Sequence, residues 1–140
     1  MKYKLIILFS ILFVLHSGLN AQNSGNANGC EQYFPTSYIS DGQQYMSLLT
    51  GEDAAEFKIL FFENTEYRIS ACSSTPDVEL EYKVYDKERN LLFSSQDQGN
   101  SPYWNFKFKH TMECFIEAKI AEGGPQSGIA LLMIGFKKNE

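Results

Sequence analysis

The two-residue alternation of apolar and polar side chains constrains this chain most, and it is clearest in VELEYKVYDKERNLLF, residues 78–93. Apolar side chains at every second position from Val78 to Val84 are separated by mostly charged ones, which is typical of a half-buried β-strand. Five polar residues, 86–90, then interrupt the pattern, and their terminal Asp and Asn tolerate turn dihedrals. Because Leu91 resumes the apolar pattern, the stretch predicts a β-hairpin with a charged tip.

The same alternation recurs along the chain and predicts eight strands separated by turn residues. From first to eighth, the predicted strands cover residues 44–49, 54–62, 66–72, 78–85, 91–93, 103–109, 112–120 and 128–136. Many short strands at this spacing are typical of an all-β, eight-stranded antiparallel β-sandwich of the jelly-roll type. In that topology the third strand lies between the sixth and the eighth, and the seventh lies between the second and the fourth.

Residues 1–21 have the pattern of a cleaved secretory signal peptide. Two lysines precede an apolar run from Leu5 to Leu15, and Ala21 ends an acceptable cleavage site. This run is shorter than the roughly 20 residues that a bilayer span needs. The alternatives are an uncleaved membrane anchor and a lipoprotein signal at Cys30, although Cys30 lies far downstream of the apolar run.

A small polar leader, residues 22–29, follows the signal peptide, and we expect a single domain over residues 30–140. Cleavage near Ala21 would leave 119 of the 140 residues, which suits one domain with a core. The predicted location is therefore secreted or periplasmic, in a Gram-negative bacterium, with no transmembrane segment in the mature chain.

The net charge of the mature chain argues against nucleic acid and anionic membranes as partners. The sequence has 12 basic and 17 acidic side chains, and the signal peptide holds two of the lysines and no acid. Ten basic and 17 acidic side chains would remain, a net charge near −7. Phosphate binding needs concentrated Lys and Arg, whereas this chain has no basic run beyond Lys137 and Lys138.

Four stretches between Gln44 and Lys137 carry a resemblance to known families. In order they read AEFKILFFENTEYRISAC, LEYKVYDKERNLLFSS, YWNFKFKHTMECFIEAKI and SGIALLMIGFK. Their order resembles a family of small secreted bacterial β-sandwich proteins of uncharacterised function. More loosely, it is similar to pre-peptidase C-terminal (PPC-like) domains, which are jelly-roll modules that accompany secreted enzymes. The resemblance implies a jelly-roll fold and supplies no catalytic residue.

Three cysteines can form one bridge, because an extracytoplasmic location lets thiols oxidise. In the jelly-roll topology Cys72 ends a strand at the top of one sheet, whereas Cys114 begins a strand at the bottom of the other. Bridged Cα atoms lie within about 7 Å, so a bridge between these two is disfavoured. We expect a Cys30–Cys114 disulfide with Cys72 free. The alternative is that Cys114 stays a buried thiol.

The side chains that could support catalysis do not form a known arrangement, so we expect no enzyme. His110 is the only histidine after residue 21, and no Gly-x-Ser-x-Gly motif accompanies it. Scattered cysteines around a single histidine lack zinc-ligand spacing, so we expect no metal ligand among them. Paired glutamates at 79 and 81, and at 113 and 117, suggest glycosidase carboxylates, but they lie on outward strand faces where charge is expected anyway.

Calcium is the one cofactor that the polar loop after the fifth predicted strand could take. Asp97, Gln98, Asn100 and Asn105 offer the oxygen ligands that a hard cation prefers, near Asp86. No EF-hand or calcium-binding repeat is present, and an ordinary polar loop explains the same residues. The prediction is therefore a protein without a cofactor, with calcium as the exception to test.

Aromatic side chains beside that loop are the best candidates for ligand binding. Exposed tyrosine and tryptophan rings stack on sugars or anchor a partner chain. Trp104 shares the strand face of Phe106, which favours a place in the core, whereas Tyr103 on the other face is expected to be exposed. The predicted ligand-binding residues are Tyr103, Trp104, Asp97 and Asn100.

The eighth predicted strand is apolar on both faces, which is unusual for a sandwich. Ile129, Leu131 and Met133 would lie on its outer face and need a cover. Either residues 30–39, which contain several aromatic side chains, fold over this face, or a partner chain does.

Two functional hypotheses follow from these patterns. The first is a non-enzymatic binding or accessory module that contacts a glycan or a protein at the bacterial envelope. The second is a structural or assembly protein that pairs with another chain, or with its own copy as a homodimer, through a strand edge or strand face. A small hydrolase is a third class, for which the sequence offers no set of catalytic residues.

Overall fold

The fold is known from a computed structural model, which describes residues 28–138. The predicted signal peptide, its cleavage site near Ala21 and residues 22–27 of the leader lie outside the described residues. A four-residue helix, α1 (Asn28–Glu31), is followed by nine strands. The strands are β1 (Tyr38–Ser40), β2 (Tyr45–Thr50), β3 (Ala54–Phe61), β4 (Glu66–Ser73), β5 (Leu80–Asp86), β6 (Leu91–Ser94), β7 (Tyr103–Lys107), β8 (Met112–Ile120) and β9 (Ser127–Lys137).

The strands form two antiparallel sheets, which confirms the all-β sandwich. Sheet A has the order β1-β9-β4-β7, with β2 also paired to β9, and sheet B has the order β3-β8-β5-β6. The third predicted strand, β4, thus lies between the sixth and the eighth, and the seventh, β8, lies between the second and the fourth, as expected. The structure has one strand more than the eight predicted. This additional strand is β1, in a segment for which the sequence predicted no strand. No helix within residues 28–138 is long and apolar enough to cross a membrane.

The core lies between the two sheets and is built by the side chains that alternate inward. Phe61, Ile69, Val84, Ile116 and Ala130 are each fully buried. Burial of one large aliphatic or aromatic side chain contributes about 1.5–3 kcal/mol, so this layer is the main source of stability.

The predicted hairpin connects β5 and β6, and its tip is charged. Asp86 accepts two hydrogen bonds of 2.8 Å from Asn90, one from the backbone N–H and one from the side-chain amide. These bonds lower the pKa of Asp86 below its ordinary value. Arg89 adopts a left-handed backbone conformation with φ of 67°, which turns the chain back toward β6.

The disulfide joins Cys30 to Cys72, with Cα atoms 5.6 Å apart, so the prediction of a Cys30–Cys114 bridge was wrong. The prediction of a free Cys72 was wrong with it. Helix α1 lies against β4, which brings Cys30 to the outer face of sheet A at the place where Cys72 stands. Cys114 instead points into the core and stays a thiol, as the alternative proposed. Burial raises the pKa of that thiol to about 11.

The N-terminal segment, residues 30–39, folds over part of the outer face of β9. Phe34 packs on Gly135, where an added Cβ would lie 2.8 Å from the phenyl ring. The backbone N–H of Lys138 donates to the carbonyl oxygen of Ser37, and β1 pairs with the last three residues of β9. The segment therefore covers the end of β9 around Gly135, as one of the two alternatives expected, but a groove stays open at Ile129, Leu131 and Met133.

Candidate binding surface

The structure separates the four predicted ligand-binding residues. Tyr103 lies on the outer face of β7 and is half-buried, whereas Trp104 points toward the inside of the sandwich. Trp104 packs on Phe93 with ring centroids 5.4 Å apart, yet 39% of its surface is exposed because β7 is the edge of sheet A. Asp97 and Asn100 are exposed in the loop between β6 and β7. Strand alternation therefore prevents the two aromatic side chains from sharing one surface.

Three tyrosines and one arginine meet on the outer face of sheet A, and we call them the Tyr–Arg cluster. The guanidinium carbon of Arg68 lies 4.4 Å from the ring centroid of Tyr103 and 4.6 Å from that of Tyr38. The ring of Tyr33 stacks on Tyr103 at 5.4 Å. All four side chains are half-buried, so the cluster is packed but still reaches solvent.

Hydrogen bonds to neutral oxygen atoms fix the guanidinium of Arg68. Its Nε donates to the side-chain oxygen of Asn105 at 2.8 Å, and its Nη1 donates to the carbonyl oxygen of Tyr33. The pairing of β4 with β7 places Asn105 directly opposite Arg68. These contacts hold Arg68 between the strand and the N-terminal segment.

Glu66 completes the border of the Tyr–Arg cluster. The hydroxyl of Tyr38 donates to its Oε1 at 2.7 Å, and Lys137 Nζ lies 3.4 Å from its Oε2. The hydrogen bond from Tyr38 lowers the pKa of Glu66. Burial, followed by the effect of Glu66, raises the pKa of Tyr38. The tyrosine hydroxyl therefore remains protonated, as a donor, at neutral pH.

The segment that carries Tyr33 and Tyr38 is attached at both ends. The Cys30–Cys72 disulfide holds its beginning on β4, and β1 holds its end on β9. A surface that is ordered before binding loses less conformational entropy on binding.

A cleft of about 460 Å³ opens next to the cluster, between the N-terminal segment and the loops that follow β4 and β6. Its lining includes Tyr33, Cys72, Val78, Glu79, Asn100 and Pro102. The structure thus brings the predicted Asn100 to the same depression as Tyr33, whereas Asp97 is not part of the lining.

At one end of the sandwich every charged loop residue is acidic, and we call this end the acidic loop end. Antiparallel order places four loops, residues 51–53, 74–79, 95–102 and 121–126, at this end. These loops hold six exposed acids and no lysine or arginine. The acids are Glu52, Asp53, Asp77, Glu79, Asp97 and Glu122.

The opposite end of the sandwich has the reverse charge balance. Its turns and the end of β9, residues 62–65, 86–90, 108–111 and 137–138, hold five lysine or arginine side chains against three acids. The charge of the molecule is thus polarised along the strand direction.

The groups that the sequence suggested for catalysis or metal binding are apart or already paired. Glu113 forms an ion pair of 3.0 Å with Lys58, and the buried Glu81 one of 3.3 Å with Lys119. His110 is exposed in the turn between β7 and β8. Among residues 28–138, no three His, Cys, Asp or Glu side chains are grouped closely enough to hold a metal ion.

Comparison with known proteins identifies a fold but no family. No family model and no curated protein matches the chain, so no family is identified and the resemblance to PPC-like domains is not supported. Among solved structures the chain is similar to PliG of Aeromonas hydrophila, a periplasmic lysozyme inhibitor of g-type lysozyme. The TM-score is 0.54 and the identity 12%, over 74% of this chain and 91% of PliG. At that identity the likeness concerns the fold alone.

Proposed function

We propose that this protein is a non-enzymatic, extracytoplasmic module that binds a protein partner at the bacterial envelope. The observation that carries the proposal is the Tyr–Arg cluster, which is half-exposed, ordered by the disulfide and adjacent to a cleft. Tyrosine and arginine are among the residue types that supply most of the energy at protein interfaces. A disulfide is typical of proteins that work in an oxidising compartment outside the cytoplasm.

The acidic loop end indicates a basic partner. It borders the cleft through Glu79, and no lysine or arginine in its four loops offsets its charge. Complementary charge accelerates association and contributes to the choice of partner. Binding should therefore weaken as the salt concentration rises, because salt screens exposed charges.

A g-type lysozyme is the first partner to test. PliG, which shares this fold, is described as an inhibitor of that enzyme class. A protein inhibitor needs a rigid surface and no catalytic residues, which suits the arrangement around Arg68.

The test is calorimetric titration of a g-type lysozyme with the secreted protein and two variants. Tyr103→Ser removes the central ring of the cluster and should weaken binding by at least about tenfold, or about 1.4 kcal/mol. Tyr85→Ser is the matched control, because Tyr85 is also half-buried but lies on the outer face of sheet B. Absence of binding would reject this partner, and equal affinities of the two variants would reject this surface.

Glycan binding is the second candidate, and the exposure of Trp104 favours it. The ring is 39% exposed beside Phe93, at the open side between β6 and β7. Trp104 is the only tryptophan, so its fluorescence reports on this place alone. A titration with polysaccharides, with and without calcium, should change the emission if this side binds a sugar or the nearby loop binds the ion. Unchanged emission throughout would reject both.

A further inference from the structure

We propose that two copies of this chain pair through the outer edges of their β2 strands, which run antiparallel and join the two A sheets. Strand β2 is held on one side by β9, with a continuous register from Tyr45 opposite Leu132 to Thr50 opposite Ser127. Within residues 28–138, no strand pairs with its other side. Backbone donors and acceptors along such an edge can be satisfied by another strand.

Among the strands of residues 28–138, β2 is the one long edge without a feature that blocks pairing. Its sequence, YMSLLT, has no charged residue, no proline and no bulge. Exposed edges are normally protected by charge, proline, bulges or short length. The other edges show these features: β1 has only three residues, β3 carries Glu56 and Lys58, β6 is four residues long beside a bulge, and β7 starts after Pro102 and ends at Lys107.

The side chains that β2 presents outward are apolar and strongly exposed. Met46 is 56% exposed and Leu48 is 68% exposed. The register places them beside Leu131 and Ile129 on the outer face of sheet A, where the N-terminal segment leaves a groove of about 510 Å³. An apolar surface that ends at an unpaired strand edge is the kind of surface that a second strand can extend.

The sequence of β2 and the charge of the molecule both fit a second copy. With the two-fold axis at Ser47, Met46 of each copy lies beside Leu48 of the other, so two apolar contacts form on the same face. Across this axis Asp41 of each copy faces Asp53 of the other, but antiparallel pairing as a whole places the acidic loop end of each copy toward the end of its partner that holds Lys137 and Lys138. This overall charge complementarity favours the antiparallel dimer over a parallel one, in which the two acidic loop ends would lie side by side.

Sedimentation equilibrium of the secreted protein over a range of concentrations tests the proposal. We expect a reversible dimer, weakened at least about tenfold by Leu48→Lys, because a charge would then lie at the centre of the interface. The matched control is Leu60→Lys, since Leu60 is 52% exposed on the outer face of β3 and takes no part in the pairing. A monomer at every concentration, or a dimer that Leu48→Lys leaves unchanged, would overturn the proposal.

A second measurement needs no charge in the strand. A photo-reactive phenylalanine analogue in place of Met46 should cross-link to residues 46–48 of an isotopically distinct copy, and mass spectrometry would locate the bond. Cross-links to another part of the partner would also overturn the β2 arrangement. The result is independent of the proposed partner, because Tyr103→Ser should leave the dimer intact and Leu48→Lys should leave the Tyr–Arg cluster intact.

Discussion

The outer faces of the two sheets each carry an arginine on an aromatic ring, yet only the arginine on sheet B is paired with carboxylates. On sheet B, the guanidinium of Arg89 lies 4.1 Å from the ring centroid of Phe115 and donates to the carboxylates of Glu56 and Glu117. On sheet A, Arg68 lies on two tyrosine rings and donates only to neutral oxygen atoms. Within the described part of the chain, no carboxylate lies within ion-pair distance of Arg68.

The difference separates a face whose charges are paired from a face that keeps an arginine without a carboxylate partner. On sheet B, Glu56 stands directly opposite Glu117, and Arg89 offsets the repulsion between them. Together with the Lys58–Glu113 and Lys119–Glu81 pairs, this gives a surface on which acidic and basic side chains balance each other. On sheet A, half-exposed rings and an uncompensated guanidinium remain, which are typical of an interface.

Loss of the disulfide should have the largest effect on stability among the changes considered. It should also disturb the outer face of sheet A and leave that of sheet B intact, because the bridge joins the N-terminal segment to β4. The bridge closes a loop with a sequence separation of 42 residues. Chain-entropy arguments for a loop of that length give about 4 kcal/mol of stabilisation. The double variant Cys30→Ser, Cys72→Ser should lose about that much in urea unfolding and release Tyr33 from Tyr103, visible in near-ultraviolet circular dichroism.

The control for the disulfide is Cys114→Ala, which keeps the bridge and removes only the buried thiol. Peptide mapping without reduction provides the decisive check. Linked peptides should contain Cys30 and Cys72, and Cys114 should react with an alkylating reagent only after unfolding, because burial raises its pKa to about 11. A linked Cys30–Cys114 peptide would contradict the structure.

Alternation predicted the sheets well, because it records directly which side chains face the core. Val84, on the apolar face of the predicted hairpin, is fully buried, and so are Ile69 and Ile116 at alternating positions of the third and seventh predicted strands. The position of Cys30 could not be predicted in this way, since its segment has no strand alternation and its place depends on packing over β4. Trp104 shows the same limit on a smaller scale: its face was predicted, but its exposure depends on β7 being an edge.

The candidate surface was predicted only in part. Tyr103 was chosen as a ligand-binding residue. Tyr33 and Tyr38 were noted only among the aromatic side chains of the N-terminal segment, and Arg68 was not singled out. One signal was available, because the expected neighbourhood of the third and sixth strands already places an outward Arg68 near an outward Tyr103. The two tyrosines of the N-terminal segment gave no such signal, since the disulfide and β1 that position them were not foreseen.

Replacement of the two arginines should have the next largest effect and tests the comparison directly. Arg68→Met removes two hydrogen bonds and two ring contacts from a half-buried site, so we expect a loss of about 1–2 kcal/mol in the free energy of unfolding. Arg89→Met removes two ion pairs, with Glu56 and Glu117, but from an exposed site where water and salt screen them. Its loss in urea unfolding should therefore be smaller.

The salt dependence of these two losses gives an internal control. The effect of Arg89→Met should shrink as ionic strength rises, whereas that of Arg68→Met should persist, because its partners are neutral. Equal losses with equal salt dependence would remove the distinction between the two faces.

Acidification should produce the smallest effect, and its sign follows from Glu56. The hydrogen bond from Arg89 lowers the pKa of Glu56 in the folded protein below the ordinary value of 4.5. Since the unfolded chain binds this proton more readily, the contribution of Glu56 to stability is complete above the ordinary pKa and is lost as the pH falls through the lowered one. In urea unfolding, the free energy of unfolding should therefore decrease as the pH is lowered from about 6 to 3, and it should decrease less steeply in Arg89→Met.

The corresponding carboxylate on sheet A has a different partner, which allows the two faces to be titrated separately. The hydroxyl of Tyr38 lowers the pKa of Glu66, so Tyr38→Phe should reduce the acid dependence of stability that comes from sheet A without removing a charge.

Lys109→Met serves as the control for Arg89→Met, because Lys109 makes no ion pair within the described residues. If the free energy of unfolding depends on pH in the same way in Arg89→Met and Lys109→Met, Arg89 does not stabilise the Glu56 carboxylate. The charges on the outer face of sheet B would then not be balanced as described.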